Sequence, residues 1–253
     1  DTPTNFSDLL INNDNEVHSV RYHFIPGISP DDGESDCGNG KDTTITIWVN
    51  PTPDITVSIP DTVFCNNEIT DFLIEDGLGN VMGEKKFIVY AQYDTDDVSV
   101  YDRDFDPDTL NVDTIVADSL VNWVNETEEI SYFFRAIIED SREGYNRDCK
   151  DGTDTTIKIF VQPNPRFTAE IDETIICDST EIEIDVTHHM DYIAFADNMY
   201  YLETDYTAGA LTGVQAEGDY GAGADIEDLL DNITDTIQDV SYRMMARLYD
   251  NRP

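Results

Sequence analysis

Hydrophobic residues recur at every second position along most of this chain. Val20, Tyr22 and Phe24 alternate with polar neighbours, and Ile45, Ile47 and Val49 alternate with Thr44, Thr46 and Trp48. Ile55, Val57 and Ile59 continue the pattern, followed by Phe72 and Ile74. Ile130, Tyr132, Phe134, Ala136 and Ile138 hold it longest. Ile182, Ile184 and Val186 repeat it, as do Val240, Tyr242, Met244, Ala246 and Leu248. Alternation of β-branched and aromatic residues at period two predicts strands with one buried face. The run Phe87-Ile88-Val89-Tyr90-Ala91 is apolar throughout and predicts a central strand packed on both faces. No helix is strongly signalled. Short Leu-x-Asn segments ahead of Tyr22, Tyr132 and Tyr242 predict a single helical turn at a sandwich corner, and the stretch from Gly209 to Gly223 reads as a flexible loop.

The pattern itself repeats. Residues 42–53, DTTITIWVNPTP, return 112 residues later as DTTIKIFVQPNP at 154–165, with eight of twelve positions identical. Cys37 recurs as Cys149 and Cys65 as Cys177 at the same offset. Upstream the offset is 110, and three copies survive: Leu10, Asn12 and Tyr22, then Leu120, Asn122 and Tyr132, then Leu230, Asn232 and Tyr242. A period near 110 suits one β-sandwich domain and is too long for a solenoid unit. Pro-x-Pro after each closing strand cannot continue a ladder, because proline lacks the N–H and fixes φ. The chain therefore reads as all-β, a tandem array of Ig-like sandwiches with short, stiff linkers. Residues 1–50 hold the end of a first domain, 54–162 a complete second, and 166–253 a third without its last strand. The strand at 130–138 is expected to pair with 156–161.

Charge narrows the partners. The 253 residues include 54 acidic and 14 basic side chains, for a formal charge of −40. Nucleic-acid affinity rests on Lys and Arg neutralising phosphates, so nucleic acid is an unsuited partner. A 40% hydrophobic share with 24 Phe and Tyr supplies cores, and no apolar run reaches the roughly 20 residues of a membrane span. Asp102, Asp104, Asp106 and Asp108 alternate in a loop preceded by Asp94, Asp96 and Asp97. Such carboxylates can converge on calcium, which takes about six to eight oxygens. The spacing is not that of an EF-hand, and a solvated acidic loop is the plainer reading. Asp31, Asp32, Glu34 and Asp36 form a weaker acidic loop.

Four cysteines at repeated spacings suggest disulfides and an exported protein. The favoured pairing is Cys65–Cys149 inside the complete domain, which leaves Cys37 and Cys177 to pair beyond the sequence. Cys37–Cys65 with Cys149–Cys177, each across a linker, fits nearly as well. Catalytic motifs are absent, so no enzyme is expected. His188-His189 reads as an ordinary surface pair, and Glu181 and Glu183 fall on a strand's outward, solvated face. Trp48 and Phe160 occupy matching outward positions, where packing on a neighbouring domain is favoured over a ligand platform.

The closing strand ending Val-Asn-Pro-Thr-Pro, the segments Thr62 to Cys65 and Thr174 to Cys177, and the Leu-x-Asn and Val-x-Tyr elements together resemble PKD-like repeats. These occur in giant surface proteins and gliding-motility adhesins of Bacteroidetes-type bacteria. The resemblance implies type IX export, anchoring at the cell surface, and an extended extracellular stalk or filament whose partners are neighbouring repeats and unidentified surface or glycan ligands. The heavy acidity departs from that pattern and keeps calcium in view. Asp-Thr/Ser-aliphatic triplets resemble the O-glycosylation signal of such exported proteins, with Thr62, Thr109, Thr114, Ser119 and Thr236 as the acceptors. Two other functions fit parts of the sequence. One is a self-polymerising subunit completed by strand addition, and the other is a glycan-binding accessory module of a secreted enzyme.

Overall fold

The computed structural model describes residues 5–27, 40–101, 103, 105–140, 142 and 147–252. Every regular element among them is a β-strand, as the alternation predicted. Strand pairing stays within three stretches of chain.

In the first stretch β1 (His18–Phe24) and β2 (Thr43–Val49) form an antiparallel hairpin. The second contains β3 (Ile55–Ser58), β4 (Val63–Phe64), β5 (Phe72–Asp76), β6 (Glu84–Gln92), β7 (Val98–Tyr101), β8 (Asp108–Asn111), β9 (Ile115–Val116), β10 (Ser119–Asn122), β11 (Glu128–Glu139) and β12 (Asp154–Val161). One sheet runs β4-β12-β11-β6-β8, and facing it are β3-β5-β9 and the pair β10-β7. Ile130 on β11 lies opposite Ile159 on β12, the expected partnership of the longest strand with the closing one. In the third stretch β13 (Phe167–Ile171), β14 (Thr180–His188), β16 (Leu211–Thr212) and β18 (Ile226–Asn232) make one sheet in the order β13-β14-β18-β16. The other is β17-β15-β19, built from β15 (Ala196–Tyr206), β17 (Gly218–Gly221) and β19 (Val240–Asp250). Two sheets packed face to face define an Ig-like β-sandwich.

The core of the second sandwich is made by the alternating residues. Phe72, Ile74, Phe87, Val89, Ile130, Tyr132 and Ile159 are wholly buried, and Phe72 packs its ring against both Tyr132 and Phe134. The third sandwich centres on Tyr200, Leu202 and Ile226. Ile47, whose counterpart Ile159 is wholly buried, is 40% exposed in the hairpin of the first stretch. No second sheet covers it among the described residues.

Four expectations are corrected. The β6 strand buries one face only: Phe87, Val89 and Ala91 point inward, while Ile88 and Tyr90 stay half-buried. Its outer face is covered from within the sheet, because Tyr90 stacks on Phe133 of β11 at 4.9 Å. Two of the Leu-x-Asn segments are strand ends rather than helical turns, with Leu120 in β10 and Leu230 in β18, and Leu10 to Asn12 is neither helix nor strand. The glycine-rich stretch contains β16 and β17, since its non-glycine residues find ladder partners on β18 and β15.

The fourth correction concerns Cys65 and Cys149, which do not pair with each other; neither of them, nor Cys177, has a disulfide partner among the described residues. Cys65 follows Phe64, which is level with Val161 and Glu128. Cys149 bridges to Ile138, ten positions further along β11. Ten residues of strand at about 3.3 Å each separate the two by roughly 33 Å, whereas a disulfide needs Cα atoms within about 7 Å. Cys149–Cys177 fails for the same reason. Cys149 sits beside Asn50 at the start of the second domain, and Cys177 lies near the Leu230 end of the third, beside the Asp178–Asn232 bond. Cys37 lies outside the described residues.

Candidate interdomain interface

The end of each domain is shaped by a corner that uses the same three side chains every time. Asn12 donates to the Glu16 carbonyl at 2.7 Å and to the Val49 carbonyl at 2.9 Å. Asn122 donates to Glu126 and Val161, both at 2.8 Å, and Asn232 donates to Thr236 at 2.9 Å. In each corner the asparagine side-chain oxygen accepts from the backbone N–H two residues on. The asparagine thus turns the chain at all three corners, and Asn12 and Asn122 also tie the turn to the closing strand.

The second member of the corner, an aspartate four residues ahead of the asparagine, was not picked out from the sequence. Tyr22 donates to Asp8 at 2.7 Å, and Tyr242 donates to Asp228. Wholly buried Tyr132 faces their counterpart, Asp118. Burial first, then the Asp118 charge for Tyr132 and the Asp228 hydrogen bond for Tyr242, hold these hydroxyls protonated far above the ordinary tyrosine range. In the second domain Asp118 also carries Arg103, whose Nε and Nη2 donate to its two oxygens at 3.3 Å, while Nη1 donates to Asp108 at 2.5 Å.

Beyond the corner lies the junction, and the two junctions of this chain are built from the same bonds. At the first, Val17 N–H donates to the Asn80 carbonyl and Gly79 N–H donates to the Asn15 carbonyl, both at 2.8 Å. At the second, Thr127 N–H donates to Tyr192 at 2.8 Å and Asp191 N–H donates to Asn125 at 3.0 Å. Every one of these residues is its counterpart displaced by the repeat offset, 110 before the cysteine loop and 112 after it.

A side-chain amide reinforces each junction. Asn50 donates to the Met82 carbonyl and accepts from the Met82 N–H, each at 2.8 Å. In the second junction Gln162 takes the place of Asn50 and is one methylene longer. It donates to the Ala194 carbonyl at 2.5 Å, but the Ala194 N–H bonds Thr127 Oγ1, which in turn donates to Gln162 Oε1. Threonine here stands where Val17 stands in the first junction, so its hydroxyl relays the bond that the longer side chain no longer makes directly. Gln162 is 3% exposed, so an alanine there would strand buried partners. The variant Gln162→Ala is expected to release the junction: the Thr127 and Asp191 amides, slow to exchange in the parent chain, become fast by hydrogen-exchange NMR, while the core amides of β11 keep their protection.

Two further contacts hold the second junction. Phe160 packs on Phe195 at 4.9 Å between ring centres, the role favoured for it over a ligand platform; Trp48 remains 53% exposed. Phe195 sits in the left-handed region, φ 64°, where its counterpart Gly83 also has positive φ. From the end of β19, Arg252 reaches back to Asp61 of the preceding domain, with Nη2 at 3.0 Å, and also holds Asp250.

The Arg252 guanidinium, and after it the Val63 N–H, hold the Asp61 carboxyl well below the ordinary carboxylate range. A depressed folded-state value adds stability that is present above the ordinary value and lost as pH falls through the depressed one. The Arg252–Asp61 contact is therefore expected to persist from neutral pH through pH 4 and to open only in stronger acid, read from the Asp61 side-chain carboxyl carbon resonance against pH. Both side chains are partly exposed, so the pair orients the domains more than it stabilises them.

The other predicted sites are scattered. Asp102 and Asp104 lie outside the described residues, and Asp108 is held by Arg103. Asp106 is exposed in the same loop. Among the described residues one acidic group converges elsewhere: Glu183, Asp185 and Asp225, all exposed on the third domain. There Asp185 first, then burial, raises the Glu183 carboxyl. Of the five hydroxyls in Asp-Thr/Ser-aliphatic triplets, Thr62, Thr109 and Thr236 are exposed, and Thr114 and Ser119 are half-buried. Asp31, Asp32, Glu34 and Asp36 lie outside the described residues. No helix among the described residues is long and apolar enough to cross a membrane.

No protein-family model matches the chain, and no curated protein does. Solved structures do. The D00-D0 domain of intimin is 10% identical, covering 78% of this chain and 98% of its own, with a TM-score of 0.33. A chaperone–tip adhesin complex of CFA/I fimbriae is 9% identical over 74% of this chain and 98% of its own, at 0.28. The adhesin InvE of Yersinia pseudotuberculosis is 13% identical over 78% of this chain and 58% of its own, at 0.25. Likeness this distant says nothing of what the chain binds.

Proposed function

We propose that this chain is a structural segment of a large extracellular adhesin or surface filament, in which Ig-like domains are stacked through one repeated junction. The observation that carries the reading is the recurrence of the same backbone bonds at Val17–Asn80 and Thr127–Tyr192, and at Gly79–Asn15 and Asp191–Asn125. Two domains joined only by a flexible tether have no reason to dock identically at every step. A repeated docking geometry propagates a regular superhelix, in which stability sums over domains and interfaces.

The electrostatics suit a stalk exposed to water. A charge of −40 keeps neighbouring molecules apart, while the junctions themselves are made mostly of uncharged backbone and amide groups that this charge leaves undisturbed. Anchoring at a cell surface, type IX export and a part in gliding motility belong to the same reading, on the strength of the PKD-like resemblance. The mass of the native polypeptide under reducing, denaturing conditions tests it. Hundreds of kilodaltons are expected, and a mass near 28.6 kDa would overturn it.

A further inference from the structure

Cys65 and Cys149 lie at opposite ends of one domain, and each end is a junction. At the downstream end, β4 runs parallel to β12, and Gln162 N–H donates to the Phe64 carbonyl at 2.8 Å, which brings Cys65 level with Gln162. At the upstream end, Asn50 Nδ2 lies 4.0 Å from Cys149 Sγ. Asn50 and Gln162 are the same residue of the repeat, one at each junction. The backbone of a Cys65-type residue therefore lies level with this position in the domain before the junction, and a Cys149-type thiol lies beside its amide from the domain after.

The chain path supplies an independent indication. Arg252 is the counterpart of Arg142, and both bond the aspartate two residues earlier, Asp250 and Asp140. In the second domain Cys149 follows Arg142 by seven residues. In the third domain Arg252 already rests on Asp61, four residues before Cys65. The segment that leaves β19 is thus delivered to the neighbourhood of Cys65, beside an open cleft lined by Ile59, Thr62 and Asp250.

From this placement we infer that each junction is closed covalently, by a disulfide between the Cys65-type cysteine of one domain and the Cys149-type cysteine of the next. It rests on the array reading above, in which the repeat offset would put the third domain's counterpart of Cys149 beyond Arg252. Formation follows ordinary thiol–disulfide exchange. One cysteine, as its thiolate, attacks an oxidised dithiol oxidoreductase to give a mixed disulfide, and the second thiolate displaces the carrier. The two cysteines together lose two protons and two electrons, and the oxidant leaves as its dithiol. The product places a covalent link in parallel with each Pro-x-Pro linker, so that tension on the filament loads two connections per junction.

Disulfide mapping of the native polypeptide tests this directly, with free thiols alkylated before digestion without reductant. The expected result is a Cys65 peptide joined to a cysteine peptide C-terminal to Pro253, and a Cys149 peptide joined to one N-terminal to Asp1. A polypeptide of hundreds of kilodaltons in which Cys65 and Cys149 are alkylated, or are joined elsewhere, overturns the disulfide and leaves the array standing. A polypeptide near 28.6 kDa overturns both.

The full chain lengthened after Arg252 by a second copy of residues 143–165 gives a check in solution, with glutathione disulfide as the oxidant. Cys65 is expected to link to the added cysteine, while Cys177 stays alkylatable. Cys65 remaining alkylatable while the added strand is protected from hydrogen exchange overturns the link.

Discussion

Arg103→Met is expected to destabilise the second domain by about 3–5 kcal/mol, the cost of leaving a buried carboxylate without its partner. Arg103 is 8% exposed and Asp118 is 1% exposed. The guanidinium satisfies both Asp118 oxygens and reaches Asp108 as well. Methionine keeps much of the aliphatic bulk, so the loss reports the charge and its hydrogen bonds rather than a cavity. Urea unfolding of the full chain, followed by the NMR signals of the β11 amides, measures the effect in the second domain. Adding Asp118→Asn to Arg103→Met is expected to restore a large part of the loss, because the unpaired charge is then gone. If the single variant unfolds at the parent's midpoint, the pair is not a stabilising element of the core.

Asn122→Ala is expected to cost about 2–4 kcal/mol. The Glu126 and Val161 carbonyls lose their donor and the Val124 N–H loses its acceptor, each unmet buried group costing about 1–3 kcal/mol with partial relief from water. Asn122 is 4% exposed, whereas Asn12 and Asn232 are half-buried and closer to solvent. The same substitution at either of those positions is therefore expected to cost less, since water reaches the stranded groups. Asn122→Ala should also loosen the second junction, because the corner it holds carries Asn125 and Thr127 to the next domain. Thermal unfolding of the three variants in parallel gives the ranking. Equal shifts at all three positions would show that burial does not set the cost.

Much of the domain plan was legible because it is written in side chains. Alternation at Ile130, Tyr132 and Phe134 requires a strand with one dry face, and the recurrence of Asn12 as Asn122 and Asn232 marks a position at which one side chain satisfies a turn and a neighbouring strand together. The same reasoning misjudged β6, since Ile88 and Tyr90 read as core whether a second sheet or only Phe133 covers them. It also passed over Asp8, Asp118 and Asp228 as glycan signals or general acidity, because nothing in an acidic chain distinguishes the aspartate that bonds a tyrosine fourteen residues away.

The sequence by itself determined the repeat, its period, the strand faces and the stiff linkers, all consequences of local chemistry that each residue carries with it. The tertiary structure alone decided how one domain meets the next. The bonds from Val17 to Asn80 and from Thr127 to Tyr192 join backbone groups that every residue other than proline possesses, so no residue type announces them. It also decided that Cys65 and Cys149 stand a strand's length apart, at opposite ends of one sheet. Spacing along a chain does not say which end of a sheet a loop will reach.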